Sequence, residues 1–205
     1  GFESYSMNEV WDPVLEQQIT RKMPRGYGLF ASNWGSLQTI NDLTHQYVNS
    51  AVVDSVARTG MHSLKMQNVE NNNAVFHHST LIYRLSQVNN NLNKDRIRPG
   101  TELTISGYIM TPSSDKLSGE NHAELIIYSY TDLWNISTSQ VINENYSPDI
   151  WHPFEVSVVV PEHRGWPNTA TVYAGFRYSQ FEGGSGSAYF DDVTISTSDP
   201  MTFFV

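Results

Sequence analysis

Rings and charges recur at every second residue in two stretches of this chain. Glu124, Ile126, Tyr128 and Tyr130 alternate through Ala123–Thr131, and Tyr173 and Arg177 alternate through Thr171–Tyr178, opposite Phe176. Period-two spacing puts such residues on one face of a strand. Tyr108 stands opposite Ile105 and Ile109 in Glu102–Met110, and Arg84 lies near the end of the apolar run Val75–Leu85. Phenol rings beside a carboxylate and guanidinium groups are equipped for recognition. Their flat faces suit C–H-rich surfaces, and their polar tips and charges give directional hydrogen bonds. A second set, Tyr27, Phe30 and Trp34, falls in the Gly-rich run of residues 25–35. Glycine lets a loop take unusual dihedrals while its aromatics project, and Trp34 is the foremost single candidate there. Trp134 and Trp166 also fall in loop-like sequence.

Spacing for catalysis is missing. Glu70, Glu120, Glu124, Glu155 and Glu182 are present, but no spacing pairs two of them across a scissile bond. Gly183-Gly184-Ser185-Gly186-Ser187 is a flexible turn without the strand-to-helix context of a nucleophile elbow. His77 and His78 are adjacent, so on a strand they face opposite sides, and no H-E-x-x-H spacing occurs. Zinc is not expected. Asn135-Ile136-Ser137 and Asn145-Tyr146-Ser147 fit the glycosylation sequon, a pattern common by chance.

The elements that must position these residues read as strands. Ser63–Gln67, Val75–Leu85, Glu102–Met110, Ala123–Thr131, Phe154–Val160, Thr171–Tyr178 and Ser187–Ser196 are rich in alternating, β-branched or aromatic residues. Pro99-Gly100, the polar run Pro112–Glu120 and the Gly183–Gly186 tip separate them with turn chemistry. Short helices are expected only at Pro13–Arg21 and Leu43–Asn49. Many strands with turn-rich connections predict a sandwich or jelly roll. Residues 1–196 are expected as one domain, with 12–50 a candidate insertion and 197–205 a tail or linker.

Composition narrows the partners. The 205 residues carry 12 Lys plus Arg against 21 Asp plus Glu, a formal charge of −9, which argues against nucleic acid or an anionic membrane surface. No apolar run approaches the roughly 20 residues of a membrane span. Cysteine is absent, which excludes disulfides and thiolate chemistry. A domain of this length buries enough core to do without them, even outside the cell.

An ordered set of short segments spans nearly the whole chain. It runs Gly1-Phe2-Glu3, Thr59–Met66 (TGMHSLKM), Pro99–Ile109 (PGTELTISGYI), Trp151–Val156 (WHPFEV) and Ala188–Ile195 (AYFDDVTI). In this order the set resembles carbohydrate-binding modules of the family 4/9/22 kind, whose fold is the galactose-binding-like jelly roll. The resemblance implies an all-β, β-sandwich jelly-roll domain. It implies a noncatalytic module that tethers a larger secreted protein to a polysaccharide or oligosaccharide, probing it by stacking and hydrogen bonds. It also implies a structural calcium joining the start and end of the module, held by Glu3, by Asp191 or Asp192, and by the backbone oxygen of Lys65. Trp151 is implied to pack in the core.

Within that resemblance, Trp34 and Tyr27 form a loop platform, and Tyr108, Tyr128, Tyr130, Glu124, Arg177 and Arg84 form a concave-face site. The module is expected to be monomeric within a larger extracellular chain and not itself an enzyme. Two other classes compete. A structural or adhesive accessory domain without a sugar site predicts no glycan binding. A jelly-roll hydrolase or lyase predicts product release that one Glu substitution abolishes.

Overall fold

The computed structural model describes residues 2–3, 5–12, 17–24, 28–34, 50–67, 76–84, 100–131, 134–159 and 171–198. Twelve strands run in chain order: β1 (Tyr5–Asp12), β2 (Gln17–Pro24), β3 (Gly28–Trp34), β4 (Ala51–Val53), β5 (Ser63–Gln67), β6 (Phe76–Arg84), β7 (Glu102–Met110), β8 (His122–Thr131), β9 (Trp134–Ile142), β10 (His152–Val159), β11 (Thr171–Phe181) and β12 (Ser187–Thr197). A 3-10 turn at Ser113–Asp115 interrupts the loop after β7. Two five-stranded sheets, β10-β7-β12-β5-β4 and β3-β6-β11-β8-β9, make an all-β sandwich of the jelly-roll, galactose-binding-like kind. The β1–β2 hairpin forms a small third sheet, and every strand pair is antiparallel. Among the described residues no helix is long and apolar enough to cross a membrane.

Alternation builds the core. Leu103, Ile105 and Ile109 from β7 and Phe190 from β12 meet Leu125 and Ile127 from β8 and Phe176 and Tyr178 from β11. The ring of Phe176 lies 5.4 Å from that of Phe2 and 5.1 Å from that of Phe190, so one side chain ties the chain's start to both sheets. Fully burying each such side chain stabilises the fold by about 1.5–3 kcal/mol. At the sheet border, the edge strand β10 carries Pro153, and its Glu155 N–H donates 2.8 Å to Oε1 of Gln140 on β9. That side chain satisfies an edge donor that a neighbouring chain would otherwise pair with.

Several expectations are corrected. Gln17–Arg21, expected within a helix, lies in β2, and Leu43–Asn49 lies outside the described residues. Gly28–Trp34, expected as loop, is β3, because pairing with β6 satisfies its backbone. Trp134 opens β9. Trp151, expected in the core, is half-buried just before β10.

Candidate functional site

The second sheet collects most of the expected recognition residues. Glu124 pairs in register with Arg177, and Arg177 with Thr80, which pairs in turn with Phe30. Tyr128 pairs with Tyr173, and Tyr173 with Arg84, while Tyr130 pairs with Thr171. Trp34 and Phe181 share Phe76 as register partner. Since alternate residues share a face, the positions of Trp34, Arg84, Glu124, Tyr128, Tyr130 and Arg177 stand on one face of one sheet. It is the face opposite the core residues Leu125, Ile127, Ala174 and Phe176. Tyr173 and Phe181 join that face, and the alternation of Thr171–Tyr178 already signals Tyr173. Phe181 lies beyond the strand end expected from sequence. Tyr27 lies outside the described residues.

An ion pair organises this face. The Arg177 Nε–H donates to Oε1 of Glu124 at 2.5 Å, and His122 Nε2 lies 3.8 Å from the same oxygen. His122 also donates from Nδ1 to the Glu120 carbonyl at 2.9 Å, and its ring lies 5.6 Å from that of Phe181. Glu124 is 1% exposed and the Arg177 side chain 27%. The buried carboxylate is therefore spent on holding Arg177, and the Nη groups of Arg177 have no partner among the described residues. A guanidinium fixed through Nε presents its remaining donors in a set plane, which suits bidentate recognition. Glu124 thus holds Arg177 through its buried carboxylate. Ile126, on the same face, is 1% exposed yet outside the core cluster, so the face is covered at that row.

Tyr108 does not belong to this set. It lies on β7 in the other sheet, paired with Pro153 and Asp191. The Arg58 guanidinium stacks 3.5 Å from its ring centroid. A single concave site combining Tyr108 with Tyr128 is excluded, because the two strands belong to opposite layers.

The expected calcium ligands are met by hydrogen-bond donors. Glu3 Oε1 accepts from the N–H of Met61 (2.8 Å) and of His62 (3.3 Å), and Oε2 lies 2.8 Å from His62 Nδ1. The His62 and Met61 contacts hold the Glu3 carboxyl below its ordinary range. Asp191 Oδ2 accepts from the N–H of Arg58 (2.8 Å) and Thr59 (3.2 Å), and Oδ1 from the Asp192 N–H. Asp192 pairs with Arg58 Nη1 at 2.5 Å and with the Thr59 hydroxyl. Burial pushes the Asp192 carboxyl up, and those two contacts outweigh it and lower the pKa. Lys65 sits in the β4–β5–β12 ladder between Ala51 and Tyr189. Calcium wants six to eight oxygens. The 58–62 loop turns N–H groups, a guanidinium and an imidazole toward these carboxylates, so the residues as arranged do not fit a calcium cage. Among the described residues no group of three or more His, Asp or Glu could hold a metal ion.

No family model and no curated protein matches the chain. Solved structures do. One is described as a Family 16 Carbohydrate Binding Module-2, at 12% identity and TM-score 0.44, covering 72% of this chain and 84% of that one. Another is the CBM22-1 xylan-binding domain of Paenibacillus barcinonensis Xyn10C, at 10% identity and TM-score 0.46, covering 83% and 85%. A third is the enzymatically active domain of bacteriophage CBA120 tailspike protein 4, at 10% and 0.47, covering 84% of this chain and 19% of that one. Similarities at these identities and TM-scores carry no functional argument.

Proposed function

We propose that the chain is a noncatalytic carbohydrate-binding module that holds a neutral polysaccharide against the outer face of the β3-β6-β11-β8-β9 sheet. One observation carries this. Six candidate positions, Trp34, Arg84, Glu124, Tyr128, Tyr130 and Arg177, come from four strands and stand on one sheet face, on either side of the covered Ile126–Gly175 row. Arg177 is already held by Glu124, so little conformational freedom is lost when its free donors meet sugar hydroxyls. The acidic balance favours a neutral glycan over an anionic one. The module would act by proximity, raising the local concentration of a secreted partner domain at its polymer.

Affinity electrophoresis against a panel of neutral polysaccharides tests the proposal. At least one polymer retards the native chain, and Arg177→Ala or Trp34→Ala weakens the retardation. Equal mobility in every gel, with a folded protein, overturns it.

A further inference from the structure

The opposite sheet carries a cavity of about 440 Å³ on its outer side, lined by Ser106, Tyr108, Pro153, Glu155, Asp192 and Thr194 among others. Its size is within the range of small-ligand sites. Two parallel rows make its floor. Pro153 pairs with Tyr108, and Tyr108 with Asp191; Glu155 pairs with Ser106, and Ser106 with Thr194. In the first row Pro153 and Tyr108 give a flat apolar strip that stops at the buried Asp191, and the second is a strip of polar groups. The Glu155 carboxylate and the hydroxyls of Ser106 and Thr194 have no partner among the described residues. The polar row crosses three adjacent strands, so it spans two strand spacings, roughly 10 Å.

The wall is built with some care. The register of β12 slips between Asp191 and Thr194, where Asp192 takes a φ of 49°. This bulge sets two residues against Gly107. Val193 turns inward, where its Cγ2 would stand 2.9 Å from any Cβ at position 107, and Asp192 turns out to the cavity and Arg58. Bulges commonly re-aim a side chain beside a site. Arg58 in turn covers one side of the Tyr108 ring and fixes it. Asp192 is neutralised by Arg58, which leaves Glu155 as the unpaired charge.

We infer that this cavity is a second ligand site, taking a short neutral saccharide of about two pyranose rings. Ring C–H faces lie on Pro153 and Tyr108, and adjacent hydroxyls donate to the two oxygens of Glu155. An anionic ligand is excluded by that carboxylate. Asp192, already paired, leaves too few free oxygens for a metal ion. The inference does not rest on the proposal for the other sheet, since no residue is shared.

The test is an amide-resolved NMR titration of the full chain with cellobiose, lactose and maltose. With at least one sugar, shifts gather at Ser106, Tyr108, Glu155 and Thr194. They persist in Arg177→Lys, which keeps a cation beside Glu124 and changes a side chain on the other face. Glu155→Ala, at an exposed position without a side-chain bond, weakens them roughly tenfold or more, the scale of a lost hydrogen bond to a charge. Absence of shifts in this patch with all three sugars, or shifts indifferent to Glu155→Ala, overturns the inference. Loss of shifts on the β8–β11 face alone would fail the other proposal and leave this one standing.

Discussion

Arg177 donates from Nε to Oε1 of Glu124 across the β8–β11 ladder, between two residues that are direct register partners. The pair is asymmetric, since Glu124 is buried and Arg177 reaches solvent. Arg177→Ala leaves a buried carboxylate whose one remaining neighbour of opposite charge among the described residues is His122, and is expected to cost about 3–5 kcal/mol. Glu124→Gln leaves a guanidinium that water can reach and is expected to cost clearly less. Urea melts of the two variants check the order. Equal losses would mean the carboxylate is not the buried partner.

The Tyr178 hydroxyl donates 2.7 Å to the Gly186 carbonyl and accepts from Asn121 Nδ2 at 3.2 Å. Tyr178→Phe removes the donor to a buried carbonyl and is expected to destabilise by about 1–3 kcal/mol. Burial pushes the Tyr178 phenol far above its ordinary value of 10.0. A raised folded pKa gives stability that is whole below the unfolded value and lost as pH rises through the alkaline range. Melting midpoints above pH 10 should therefore fall more steeply in the native chain than in Tyr178→Phe.

Glu3 and Asp191 both accept hydrogen bonds from N–H groups of the 58–62 loop. A thermal melt is expected to keep its midpoint when EGTA replaces calcium. A higher midpoint with calcium would restore the structural ion expected from the sequence. Gly60→Ala is expected to lower the midpoint in both buffers. Gly60 has a φ of 63°, and a Cβ there collides with the Glu3 carboxylate.

Asp149 accepts the Ser113 N–H at 2.8 Å, and its hydrogen bonds with Ser113 hold its carboxyl below the ordinary 3.8. A depressed folded pKa gives stability present above the unfolded value and lost as pH falls through the folded one. The Ser113 amide resonance should thus move with an acid midpoint below the ordinary aspartate value, and Asp149→Asn should remove that transition. No movement in acid, or a midpoint at or above the ordinary value, would show that the contact does not form.

Much of the sheet architecture was readable along the chain. Ser63–Gln67 and Glu102–Met110 match β5 and β7 to the residue, because apolar side chains alternate there without interruption. β9 escaped, since Asn135-Ile136-Ser137-Thr138-Ser139 reads as turn-forming sequence until pairing with β8 supplies its hydrogen bonds. β1 and β2, rich in Ser, Asn and Gln, escaped for the same reason. Part of the expected insertion proved structural: β3 edges the second sheet.

The sequence by itself determined the all-β class and the inward and outward sides of strands such as β5, β7 and β10. These follow from alternation, turn residues and composition, which are local. Only the tertiary structure decided that Tyr108 and Tyr128 belong to different sheets, that Trp34 ends a strand, that Glu124 holds Arg177, and that N–H groups meet Glu3 and Asp191. Alternation fixes which side of its own strand a residue takes. Which layer the strand joins depends on pairing with strands distant in the chain, and no period along the sequence encodes that choice.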